Sequence, residues 1–310
     1  MEKPLVSIVI PLYNGSNYVA QAIDCALAQT YSNIEVIVVN DGSSDHGAGR
    51  DICLSYGDKI RYFEKENGGC SSALNFGIKE AKGAFISWLS HDDLYDPNKV
   101  ETQIGYYEKY DLNPRTTLVS NPGRLINENA DPIYRPNRVK RQRLDSREMF
   151  AYILFGIGFH GCGLLIPKAF FEMGLSFRED MRFVLDWNLW QKIAISGAQV
   201  YVDQTIIFSN RIHSQQVTVI QADRHTPELT ASCEEIFELL KSHPDPELMR
   251  LLYYYCVATG QVLHKNIKAY MKSTGIAIKP LKKLRYTLKK RSLKLAKKAY
   301  HAIRRIRHKR

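Results

Sequence analysis

Two adjacent carboxylates, Asp92 and Asp93, stand where an apolar run, Ala84–Leu89, ends and a proline-led helix start follows at Pro97. The run reads as a buried strand, so the pair sits at a strand end. Neighbouring acids repel each other and are most easily accepted beside a cation. Carboxylate oxygens that share Mg²⁺ with substrate phosphates are the usual way that ion is carried. The alternative is a solvated turn that caps the helix beyond Pro97.

The elements that must position the pair are legible upstream. Val6–Ile10 is a β-branched run stopped by Pro11, and Val19, Ala22, Ile23, Ala26 and Leu27 then repeat at helical spacing. Ile34–Val39 is a second buried strand, closed by Asn40-Asp41-Gly42-Ser43. The order repeats with a weak helix near 47–56, a strand at 60–63, a helix at 71–81 and the strand at 84–89. Strands alternating with helices predict a mostly parallel sheet with helices on both faces, and ligands bind beyond the carboxyl ends of such strands. One crevice could then collect the Tyr13 ring, the Asp41 carboxylate and the acidic pair, the parts of a nucleotide-diphosphate site. A dinucleotide site fits less well, because no G-x-G-x-x-G follows the first strand.

These residues resemble family-2 glycosyltransferases of the GT-A fold. The resemblance rests on Val6–Asn14, on Glu35–Asp45, on Asn67-Gly68-Gly69 with Ala73, Asn75 and Gly77, on the acidic pair, and on Asp186-Trp187-Asn188-Leu189-Trp190. It covers about residues 4–215, with five motifs in order. It implies that Pro11 and Tyr13 pack against a nucleobase, that Asp41 hydrogen-bonds the base edge, and that Asn67 and Gly68 lie near sugar or phosphates. Asp92 would hold Mg²⁺ or Mn²⁺, with Asp93 as a second ligand or support. His160 and Gly161 would face the acceptor, and Arg211 and His213 the diphosphate. Asp186 would be the general base; read alone it is a helix cap. The family often writes Asp-x-Asp-Asp where this chain has Ser90 in first place, and often Glu where Leu185 stands.

The implied reaction is inverting transfer of a sugar from a nucleoside-diphosphate donor, UDP by resemblance, to an acceptor hydroxyl on a glycan or lipid-linked glycan. A binding module of the nucleotide fold, with a basic tail for nucleic acid, is the alternative. The basic stretch Arg135–Arg143 could hold phosphate or form a solvated loop.

Charge divides the 310 residues unevenly. From Arg250 onward there are 19 of the 43 Lys and Arg and no Asp or Glu, which leaves 24 basic against 32 acidic residues before that point. Leu281, Leu284, Leu288, Leu295, Ala299, Ile303 and Ile306 mark a narrow apolar stripe on this basic tail, the pattern of a helix lying on anionic lipid. Nucleic acid is the competing partner. The expected organisation is a catalytic domain over 1–220, with a donor half to about 115 and an acceptor half beyond it, then two helices over 221–275 and the tail over 276–310. Those helices would pack on the body or pair with another subunit. Six scattered cysteines predict reduced thiols and, with no leader, a cytoplasmic protein peripheral to the membrane. Met149–Pro167 is apolar enough to be weighed as a span, but four glycines, His160 and a proline fit a helix end, loop and strand better.

Overall fold

The computed structural model describes residues 3–134, 141–155, 158–214, 216 and 225–278. The expectations for a membrane-binding tail fall on 279–310, outside the described residues. Strand β1 (Val6–Leu12) is followed by α1 (Val19–Leu27), β2 (Ile34–Asp41), α2 (Ala48–Leu54), β3 (Arg61–Lys65), α3 (Cys70–Glu80) and β4 (Phe85–Trp88). Each strand runs parallel to its neighbour in the order β3-β2-β1-β4, as right-handed crossovers require.

Alternation along these strands feeds two cores. Ile8, Ile10, Val36 and Val38 face one layer with Val19, Ile23 and Val100, whereas Val9, Ile37 and Val39 face another with Leu74. A strand buried on both faces needs apolar residues at every position, which is why Val6–Ile10 reads as a continuous run.

Beyond β4 come β5 (Leu94–Tyr95), α4 (Lys99–Lys109), β6 (Thr117–Ser120), β7 (Gly123–Ile126), β8 (Pro132–Tyr134), β9 (Gln142–Leu144) and α5 (Ser146–Phe155). Then follow β10 (Leu164–Pro167), α6 (Ala169–Glu172), α7 (Leu185–Ile195), β11 (Gln199–Val202) and β12 (Phe208–Arg211). The main sheet continues as β4-β10-β6-β11-β9, and here antiparallel pairs dominate. A second sheet, β5-β12-β7-β8, is absent from the sequence reading, because its strands are two to four residues long.

The 149–167 region is a helix end, a glycine turn and a strand, and no helix among the described residues is long and apolar enough to cross a membrane. Among the described residues the C-terminal region holds three helices where the sequence suggested two: α8 (His225–Ser242), α9 (Pro246–Thr259) and α10 (His264–Ser273). Asp245 caps α9 through the N–H groups of Glu247 and Leu248, and Gly260, at φ 74°, ends it. Their apolar faces join the core that contains α5 and α7.

Candidate active site

The order β2-β1-β4 brings three strand ends side by side. Tyr13, 46 % exposed, offers its ring just past β1, and the preceding Pro11 is buried in the strand. The carbonyl of Pro11 lies 3.3 Å from His91 Nδ1, which ties the β1 end to the loop carrying the acidic pair.

Asp41, at the end of β2, has both oxygens on protein donors. Oδ1 accepts from Gly68 N–H at 3.0 Å and from the Lys65 ammonium at 2.8 Å, and Oδ2 accepts from Gly69 N–H at 2.5 Å. Asn67 Nδ2 donates to the Asp41 carbonyl at 2.9 Å. The carboxylate expected to read a base edge is therefore already the clamp of the Asn67-Gly68-Gly69 turn. A carboxylate offers about four acceptor sites, so capacity for one further donor remains on Oδ2.

The two neighbouring acids at the end of β4 part company. Asp92 Oδ2 pairs with His213 Nε2 at 2.9 Å. Burial alone would raise its pKa, but the His213 hydrogen bond and the His91 and His213 charges hold it below the usual carboxylate range. Asp93, 1 % exposed, points inward and accepts from Arg211 N–H at 2.9 Å, Asn210 Nδ2 at 3.0 Å and the Cys162 thiol at 3.2 Å. Burial, reinforced by the Asp92 charge, pushes its pKa upward. Of the two expected metal ligands, Asp92 faces the crevice, and Asp93 fixes β12 against the loop.

Arg211 does not reach the crevice as the sequence suggests. It is fully buried: Nε donates to the Asp92 carbonyl at 2.8 Å, Nη1 to the Glu128 carbonyl at 2.7 Å, and Nη2 to Gln21 Oε1 at 2.8 Å. Its guanidinium also lies 4.5 Å from the centre of the Tyr18 ring. A buried cation needs its donors satisfied, and here carbonyls do that. Arg141 and Arg143, candidates for holding phosphate, bond Asp203 at 2.7 Å and the Tyr110 carbonyl at 2.7 Å instead.

Asp186 lies in the first turn of α7, two residues past Val184 at the cap position, so the cap reading does not hold. Its Oδ1 accepts from Trp187 N–H at 2.6 Å. Burial raises its pKa to about 6, against backbone hydrogen bonds that favour the ionised form. The loop leading into it is tied at several points. Asn75 exchanges hydrogen bonds with Phe177 N–H and C=O at 3.0 and 2.9 Å, and Ser71 Oγ donates to the Met181 carbonyl at 3.2 Å. From α8, the Glu228 carboxylate accepts from Arg182, Phe183 and Val184 N–H at 2.9, 2.7 and 3.1 Å. Sequence reasoning missed Glu228, because nothing in a helical first turn signals a contact more than forty residues upstream.

Cys70, at the start of α3, marks the middle of the crevice. Burial, then the charges of Asp92, Asp41 and Asp186, push its thiol pKa to about 12, while Arg182 opposes them. The charges of three carboxylates from three separate segments are thus felt at one side chain. His160 and Gly161 line the neighbouring wall. The His160 ring packs 5.0 Å from Phe208, its Nδ1 accepts from Cys162 N–H, and dense packing lowers its pKa to about 4 although its outer edge is open to solvent. Gly161 is needed for close approach: a Cβ there would lie 2.2 Å from the Trp88 ring.

Asp92 offers carboxylate oxygen, the donor type that suits Mg²⁺ and Mn²⁺, and His213 Nε2 braces that carboxylate through Oδ2. Asp93, His160 and Cys162 also bring donor atoms within 4.8 Å of one another, but the thiol is already given to the Asp93 carboxylate and is a poor partner for either ion.

Residues 7–160 match the model of glycosyl transferase family 2. A protein of Rickettsia bellii described as an uncharacterized glycosyltransferase is 45% identical over 262 residues, 84% of this chain and 37% of that protein. The chain belongs to glycosyl transferase family 2. It spans little more than a third of the length of that relative. Among solved structures, S. aureus TarS 1-349 in complex with UDP-GlcNAc shares the fold, with a TM-score of 0.63 and 16% identity over 81% of this chain and 72% of that one. The mannosyltransferase PcManGT from Pyrobaculum calidifontis, in complex with GDP-Man and Mn²⁺, has a TM-score of 0.56 at 16% identity, covering 96% of this chain and 87% of that one. The GT-A arrangement expected from the sequence is the fold of this family-2 chain.

Proposed function

We propose that the chain transfers a sugar from a nucleoside-diphosphate donor to an acceptor hydroxyl with inversion, using a divalent cation. The observation that carries this reading is the carboxyl of Asp186, its pKa raised by burial to about 6, which together with Asp41 and Asp92 acts on the Cys70 thiol. A base near that value is ionised at neutral pH and still basic enough to take a proton from a hydroxyl as it attacks. Attack from the face opposite the diphosphate is a single displacement, which inverts the anomeric centre.

Tyr13 and Pro11 supply a wall for the nucleobase, and the remaining acceptor site of Asp41 suits a base N–H. The UDP-GlcNAc of the TarS complex supports a uridine donor, and the GDP-Man of the mannosyltransferase keeps guanosine in the test. Asp92 would hold Mg²⁺ or Mn²⁺, braced by His213, with Asp93 in support. The bound ion neutralises charge that builds on the diphosphate leaving group. His160 and Gly161 would face a glycan or lipid-linked acceptor. The test is release of nucleoside diphosphate from a panel of UDP-, dTDP- and GDP-sugars with Mn²⁺, with and without chelator. Chelator-sensitive release from one donor is expected; no release, with no donor-induced thermal shift, would contradict the reading.

A further inference from the structure

A nucleoside-diphosphate donor brings several negative charges to a region where the charges of Asp41, Asp92 and Asp186 already act, so cations of the chain are called for beside the metal. The sequence assigned that place to Arg211 and His213; Arg211 is buried among carbonyls, and His213 is paired with Asp92. Lys65 is engaged with Asp41. Arg182 lies over Gly69, next to Cys70, and its charge opposes those carboxylates at the Cys70 thiol. We propose that Arg182 is a donor-binding residue that contacts the diphosphate of the nucleotide sugar. This rests on the donor reading above.

Arg182 is held by one end only. Nη1 donates to the Gly68 carbonyl at 2.5 Å and to the Glu179 carbonyl at 3.0 Å. No described residue accepts from Nε or Nη2. The guanidinium covers Gly69, where a Cβ would fall 1.7 Å from Nη1, and Gly69 sits at φ 86°. A side chain at residue 69 would therefore both strain the backbone and displace the arginine. The backbone around Arg182 is fixed as well, because its own N–H and the next two are bound by Glu228. A guanidinium anchored at one nitrogen and open at the others is preorganised for phosphate, since its planar fork matches two phosphate oxygens.

The same turn opens α3, an eleven-residue helix whose first N–H groups lack intrahelical partners and whose N-terminus favours negative charge. Arg182 and that helix end meet at Gly69. The arrangement predicts that the diphosphate lies between them, with the sugar directed toward Asp186.

The test is calorimetric titration of the full chain in Mn²⁺ with uridine, UMP and UDP, and with the guanosine series alongside. Arg182→Gln should weaken the diphosphate at least tenfold and leave the nucleoside within twofold. Arg182→Lys, which keeps charge but not the fork, should recover part of the loss. Gly69→Ala should reproduce the Arg182→Gln pattern if it folds, as judged by its thermal midpoint. An equal loss for nucleoside and diphosphate would mean that Arg182 merely staples the loop, and no loss for either would overturn the proposal directly. A wild-type chain that binds no nucleoside diphosphate would overturn the donor reading and this proposal together.

Discussion

At the ends of β2 and β4 the carboxylates are engaged by protein donors. Asp41 takes three through its oxygens, Asp93 takes them from Asn210, Arg211 and Cys162, and Asp92 is paired with His213. Across the crevice, Asp186 is buried with backbone N–H as its only named support, and its pKa rises to about 6. The effort on that side goes into the loop rather than the carboxylate: Asn75, Ser71 and Glu228 fix residues 177–184. Asp92 is held ionised by its His213 partner, Asp93 is raised by burial but given over to Asn210, Arg211 and Cys162, and Asp186, with few donors, is the carboxyl left for proton transfer. A carboxylate that must stay ionised wants donors, and one that must exchange a proton near neutrality wants few.

The sharpest way to break that contrast is Asp186→Asn. Turnover should fall by about 10²–10⁴-fold, the contribution of a positioned base, while donor binding stays nearly unchanged. The same variant should be at least as stable as the wild type. The folded pKa of Asp186 lies above its unfolded value, so the ionised form destabilises the fold increasingly as pH rises from the ordinary carboxylate range to about 6. Removing that charge is worth up to about 3 kcal/mol at neutral pH. A rise in thermal midpoint together with lost turnover would separate chemistry from folding. Wild-type turnover should fall as pH drops through about 6, because the base then binds its proton.

Asp92→Ala attacks the opposite side. It should weaken Mn²⁺-dependent binding of UDP by about 10–100-fold, as loss of a ligand or its close support does, and abolish any chelator effect; titration of UDP with and without Mn²⁺ reads this.

Glu228→Ala asks whether the loop, rather than the carboxylate, is what matters on the base side. Three N–H groups lose their acceptor, which should cost about 1–3 kcal/mol of stability and lower kcat roughly tenfold by misplacing the base. KM for the donor should change little, and Glu228→Gln, which keeps one acceptor oxygen, should fall between. Equal kcat in all three proteins would remove the coupling of α8 to Asp186.

The smallest effect is expected of Asp41→Asn. The ion pair to Lys65 and one N–H acceptor of the Gly68-Gly69 turn are lost, so donor KM should rise several-fold with kcat nearly intact. A large fall in kcat would mean that the turn positions more than the donor.

Long apolar runs made the donor half legible, because a doubly buried strand leaves no polar position to confuse its period, and Val6–Ile10 and Ile34–Val39 needed no partner to be read. The second sheet was not legible, since Leu94–Tyr95 and Phe208–Arg211 are too short to show a period and are defined by each other. The site divides in the same way. Asp41, Asp92 and Asp186 stand at recognisable element ends, and the charges of all three are felt at Cys70. Arg211 has the residue type suited to a diphosphate contact, but burial among Asp92, Glu128 and Gln21 depends on long-range packing that no local pattern records. Arg182 and Glu228 were missed for the same reason. Their partners, Gly68 and residues 182–184, lie 114 and more than forty residues away in the chain.

The central claim is that Asp186 is the base of a metal-assisted glycosyl transfer. The most direct test is release of nucleoside diphosphate from the preferred sugar donor, with Mn²⁺ and acceptor, by wild type and Asp186→Asn across pH 5–8. The account predicts that wild-type release is chelator-sensitive and rises through about pH 6, and that the variant is slower by orders of magnitude at every pH. Near-equal release by the two proteins would contradict it.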